Sequence, residues 1–131
     1  MNKIIQIKVF NDVMDQFFEY MENEFPYFRS DIVLTKSSID LLRRSNPRLV
    51  VEQFIQYISP YSTQIIECDE DFFLNFEQNM GLDKDNILYG LKLKSIWLDR
   101  ANHDPEKTLR QKATIFHYFQ KLLKCASKVT L

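Results

Sequence analysis

An all-α fold, a compact bundle of about five to seven helices, is predicted by three observations. Glycine is nearly absent, with two in 131 residues, where average usage of roughly 7% would supply about nine. Tight strand connections need residues that tolerate positive φ, so hairpins are short of their usual turn residue. Proline directly follows a good capping residue at Asn46-Pro47, Ser59-Pro60 and Asp104-Pro105. A cap side chain accepts from a free first-turn amide, and proline at the first helical position forfeits no bonded donor. Apolar residues also recur at three- and four-residue steps along much of the chain.

The first helix is expected from about residue 5 or 10 to Glu24, with Phe10, Val13 or Met14, Phe17 and Tyr20 or Met21 on one face. The alternation in IIQIKVF also fits a short strand, but no partner strand is evident. Pro26 ends this helix, because the residue before a proline is pushed out of the α region. A second helix covers about 28–44, with Ile32, Leu34, Ile39, Leu41 and Leu42 inward. The third runs from Pro47 to Ile58, with Val50 or Val51, Phe54 and Ile58 inward, and PYSTQIIE adds one or two turns. DEDFFLNFEQ reads as a short helix capped by Asp69, with Met80-Gly81 as its stop. NILYGLKLKSIWLDRA reads as a helix over about 85–101, and Asp104 opens the longest one, to about Lys128.

Residues 1–131 form one domain on size alone. Leu, Ile, Val and Phe make up about a third of the residues, well above the roughly 20% below which disorder is suspected. The net charge of −1 means that the molecule as a whole does not advertise nucleic-acid or membrane binding. No run of 18 apolar residues occurs, so no membrane span is expected. Lys8 and Asp12 interrupt any apolar leader. Cys68 and Cys125 form neither a CxxC pair nor another metal or redox spacing. They are expected as buried free thiols in a soluble, intracellular protein.

Motifs for chemistry are missing. The stretch CDEDFF at 68–73 concentrates a thiol and three acids. An EF-hand starting at Asp69 would need glycine at its sixth position and a bidentate acid at its twelfth, where Leu74 and Met80 stand. One starting at Asp83 fails in the same way at Leu88 and Lys94. The acids instead suit a first helical turn, where they meet the positive end of the dipole, with Phe72, Phe73 and Phe76 packing inward. His103 and His117 belong to no HExxH, and no phosphate-binding or nucleophile-elbow glycine pattern occurs. Cys125 and His117 lie eight apart on one helix, about 12 Å along its axis, too far to pair. No catalytic residue, metal or cofactor is expected, and the protein is read as not an enzyme.

Charge, however, is unevenly distributed. Residues 61–85 carry one basic and seven acidic side chains, and residues 86–131 carry nine and three. On the last helix Lys107, Arg110, His117, Lys121, Lys124 and Lys128 fall at three- and four-residue steps with Thr114 in the gap. This stripe of roughly 30 Å fits an acidic protein partner or a phosphate backbone. It also fits a solvated face, or an internal complement to the acidic 67–71 segment. Eighteen aromatics, several in adjacent pairs such as Phe17-Phe18, Tyr27-Phe28 and Phe72-Phe73, indicate a large core or an exposed contact cluster.

The run FPYFRSDIVLTKSSIDLLRRSNPRLVVEQFIQYISPY, then ECDEDFFL and LKLKSIW, resembles small uncharacterised all-helical proteins encoded by large double-stranded DNA viruses of algae and other protists. The likeness covers nearly the whole chain and lies in caps and core positions, so it transfers no functional residue. It implies an intracellular viral product in the host cytoplasm, virus factory or virion. The functional expectation is a non-enzymatic helical protein-interaction module. The alternative is a nucleic-acid-binding accessory protein that uses the basic stripe.

Overall fold

The computed structural model describes residues 3–80, 88, 91–99 and 104–129, and among them every regular element is helical. Four helices are long: α1 (Lys3–Glu24), α2 (Arg29–Ser45), α3 (Leu49–Tyr57) and α8 (Pro105–Ser127). Between α3 and α8 lie four short segments: α4 (Ser62–Ile66), α5 (Asp71–Leu74), α6 (Phe76–Met80) and α7 (Leu93–Trp97). A single residue, Asn75, separates α5 from α6. Single 3-10 turns at Pro26–Phe28 and Ser59–Tyr61 lead into α2 and α4. α1 packs along α8 and against α2, and α3 packs against α1, α2 and α8.

The chain breaks where its proline and acidic signals stand, though by different devices. Asp104 Oδ1 accepts from the amides of Glu106 and Lys107 at 3.0 and 3.3 Å, which is the capping geometry expected for α8. The expected Asp69 cap is not formed: Asp69 Oδ1 accepts from the Asp71 amide at 3.0 Å and shapes a turn, and Glu70 takes the cap position of α5 without a side-chain bond. The other two proline pairs do not cap. Asn46 Oδ1 accepts from the Arg48 amide at 3.0 Å and shapes a turn ahead of α3. Ile58 stays in the helical region, so the chain passes through the Ser59–Tyr61 turn without a side-chain cap.

The single helix expected for DEDFFLNFEQ is split at Asn75 into α5 and α6, and the inward face of α2 and the helix over 85–101 also differ from expectation. Leu34 and Leu41 point outward, 67% and 61% exposed, whereas Ile32 and Ile39 are buried. At 100° per residue Leu34 and Leu41 share the face opposite Ile32 and Ile39. The inward side is completed by the buried Thr35, whose hydroxyl donates to the Asp31 carbonyl at 2.8 Å. Lys36 and Arg43 flank that side and bind Asp15 of α1 at 3.2 and 2.6 Å. Burial draws the Lys36 pKa down, but its bonds to Asp40 and Asp15 outweigh that and raise it above the ordinary lysine value.

The expected helix over 85–101 is not continuous. Leu88 lies in a turn, Lys92 is left-handed (φ 52°, ψ 48°), and α7 begins only at Leu93. A left-handed residue interrupts the i to i−4 ladder. Both Glu77 carboxylate oxygens, on α6, then accept from the Lys94 amide at 3.0 and 3.1 Å and supply the missing cap. The remainder of that segment, like Gly81 and His103, lies outside the described residues.

The core is an aromatic interlock. Phe119 of α8 has ring neighbours at 5.5 Å (Phe17, α1), 6.4 Å (Phe54, α3), 5.8 Å (Phe72) and 5.2 Å (Phe73, both α5). Phe73 stacks on Trp97 of α7 at 4.3 Å. Both members of Phe17-Phe18 and of Phe72-Phe73 are buried, because each pair sits where two packing partners meet. Tyr27, at 80%, is the aromatic left exposed among the described residues. Phe119→Ala should therefore cost about 3–5 kcal/mol in urea unfolding, a large share of the 5–15 kcal/mol typical of a domain. Tyr27→Ala should stay within about 0.5 kcal/mol.

Candidate functional site

α8 has two opposed faces. Ile115, Phe116, Phe119, Leu122 and Ala126 are buried on one, and the helical repeat sets the predicted stripe about 180° away. Arg110, His117, Lys121, Lys124 and Lys128 are exposed and Lys107 is half-buried. Thr114 fills the gap by donating its hydroxyl to the Arg110 carbonyl at 2.8 Å. Among the described residues, none of the stripe's lysines, nor Arg110, has its cation in an ion pair.

The acidic segment meets α8 on a different side. Glu70 Oε1 accepts from Lys112 Nζ at 2.8 Å and from Trp97 Nε1 at 3.0 Å. The same ammonium lies 5.2 Å from the centre of the Trp97 ring, within cation–π range. Gln120 donates to the Ile65 carbonyl at 3.0 Å and to Cys68 Sγ at 3.4 Å. The side-chain hydrogen bonds between 65–70 and α8 thus run through Lys112 and Gln120, and the stripe's cations are not spent on them.

Two clefts flank the stripe. Near its start, Tyr20, Glu24, Lys107, Arg110, Gln111 and Thr114 line a polar cleft of about 290 Å³. Gln111 donates to Glu24 there at 3.0 Å. Burial pushes the Tyr20 phenol up, opposed by its hydrogen bond with Thr114 and reinforced by the Glu24 charge. Near its end, an apolar cleft of about 660 Å³ opens between α3, α4 and α8, lined among others by Ile55, Ile66, Leu123, Lys124 and Val129.

Neither cysteine fits the expected buried thiol. Both are free, but Cys68 is exposed and Cys125 half-buried. Cys68 occupies a left-handed position (φ 55°) at the end of α4, which holds it at the surface turn into α5. Among the described residues no group of three or more His, Cys, Asp or Glu side chains could hold a metal ion. No described helix is long and apolar enough to cross a membrane.

The basic stripe was readable from spacing. The Glu70–Lys112–Trp97 cluster was not, since its members are 27 and 42 positions from Glu70. The apolar cleft left one signal, the adjacent pair Ile65-Ile66 in the five-residue α4, of which Ile65 is buried and Ile66 is exposed. In comparisons with protein-family models, curated proteins and solved structures, no match to this chain was found.

The Glu70 cluster yields a pH dependence. The Lys112 hydrogen bond holds the Glu70 carboxyl below the ordinary glutamate value against the opposing effect of burial, with the Lys112 charge and Trp97 adding to it. A depressed folded pKa contributes stability above the unfolded pKa and loses it as pH falls through the folded one. Glu70 is half exposed, so the contribution should be under about 1 kcal/mol. Glu70→Gln, which keeps an acceptor for Trp97, should be less stable than the parent near neutral pH. The gap should close as pH falls through the acidic carboxylate range, read as urea midpoints at stepped pH.

Proposed function

We propose that this protein is a non-enzymatic helical interaction module that holds an acidic protein partner along the basic stripe of α8. The supporting observation is the free state of the stripe: five cations on the face opposite the core, none in an ion pair among the described residues. Such a row, roughly 30 Å long, steers an acidic surface into register. The resemblance to small helical proteins of large DNA viruses suggests a virion or virus-factory setting. Nucleic acid is the competing ligand, since phosphates answer the same charges.

The triple variant Lys121→Glu, Lys124→Glu and Lys128→Glu is the test. All three side chains are exposed, so its circular dichroism and melting should match the parent. Its capture of a stoichiometric protein partner from the native cells, after nuclease treatment, should be lost. Unfolding of the variant would make the stripe structural. Partners that disappear on nuclease treatment of the parent, with affinity falling at a log–log salt slope of roughly −0.9 per phosphate, would replace the protein partner with nucleic acid.

A further inference from the structure

We infer that the cleft beside Lys124 seats the apolar anchor of a short acidic amphipathic helix, whose carboxylates lie along Lys121, Lys124 and Lys128. This deepens the proposed function and rests on it, because the same stripe supplies the charge.

The cleft measures about 660 Å³, on the scale of sites that enclose a large side chain or a small ligand. Its walls come from α3, α4 and the last turns of α8, with aliphatic side chains as the main apolar surface. Lys124 is the one charged residue in the lining, and no carboxylate is among the lining residues. Ile66 stands at 65% exposure beside it. An occupant must therefore be apolar where it enters and negative where it passes Lys124.

Nucleic acid satisfies the second condition but not the first. Single strands bind without sequence preference by stacking bases on aromatic side chains, and this lining contains no aromatic residue. An aliphatic or aromatic side chain from a peptide meets both conditions. The lysine spacing further selects a helix. Steps of three and four residues place Lys121, Lys124 and Lys128 about 4.5 and 6 Å apart along the axis. Carboxylates at three- and four-residue steps on a partner helix repeat those intervals, and the apolar face of the same helix turns into the cleft.

The test is selection of binders from a display library of random 16-residue peptides, followed by anisotropy titration of the enriched peptides. Parent, Ile66→Lys and the triple lysine-to-glutamate protein are compared. Because Ile66 is exposed, Ile66→Lys should keep the parental melting temperature. The inference expects enriched peptides that combine Asp or Glu with Leu, Ile or Phe at helical spacing. They should bind Ile66→Lys about ten-fold or more weakly, and the triple variant not at all. Acidic peptides without an apolar preference, lost on the triple variant but indifferent to Ile66→Lys, would overturn the cleft inference and leave the stripe reading standing. Enrichment of peptides without acidic residues, or no enrichment at all, would overturn both.

Discussion

Phe119 carries the constraint on which the other elements depend. Its ring is the shared neighbour of rings from α1, α3 and α5, and Phe73 passes the contact on to Trp97 in α7. Segments of four and five residues do not hold helical structure alone, since helices shorter than about 12–15 residues are marginal in water. α5 and α7 therefore exist because their aromatic side chains dock on α8. The docking also fixes the rotation of α8 about its own axis. Once Phe116, Phe119 and Leu122 are buried, Arg110, Lys121 and Lys124 are turned to the exposed face.

Local signals were legible in the sequence wherever the physics is local. Asp104 caps as its position suggests, because a side chain reaching amides two and three residues on needs no distant partner. The apolar repeat of α1 placed Phe10 and Phe17 correctly in the core, and of the alternatives Tyr20 and Met21 it is Met21 that is fully buried. The reading of α2 failed at Leu34 and Leu41, because hydrophobicity alone assigned them inward. The phase of that helix is set by Ile32 and Ile39 together with the flanking ion pairs of Lys36 and Arg43 to Asp15, which are 21 and 28 positions away. Lys92 gave no local warning either, since lysine has no preference for the left-handed conformation that breaks the segment there. The stripe was visible as a spacing, but whether its charges were already paired depended on where residues 65–70 fold.

The placement of those residues resolves an apparent economy in the charge pattern. An acidic stretch followed by a basic one invites mutual neutralisation. Among the described residues one carboxylate, Glu70, instead pairs with one cation, Lys112, which lies nearer the buried side of α8 and covers Trp97. The pair serves the core's edge. The opposite face keeps its charge at full strength, and side chains that hold the helix in place are separate from those that can meet another molecule. Substitutions on the two faces should therefore act independently, as expected for sites without shared partners.

The pairing of α1 with α8 also sets a timetable. Ile7, Phe10, Val13, Met14, Phe17, Phe18 and Met21 are buried on α1, and much of their cover is a helix encoded roughly a hundred residues later. At synthesis rates of about 5–20 residues per second, α1 leaves the ribosome some 5–20 s before Phe119 can follow it. Through that interval the nascent chain displays an amphipathic helix with a phenylalanine-rich face and no α8 to receive it. The cover for the apolar face of α1 thus arrives only when α8 has been made, and the folding of the core waits on that segment.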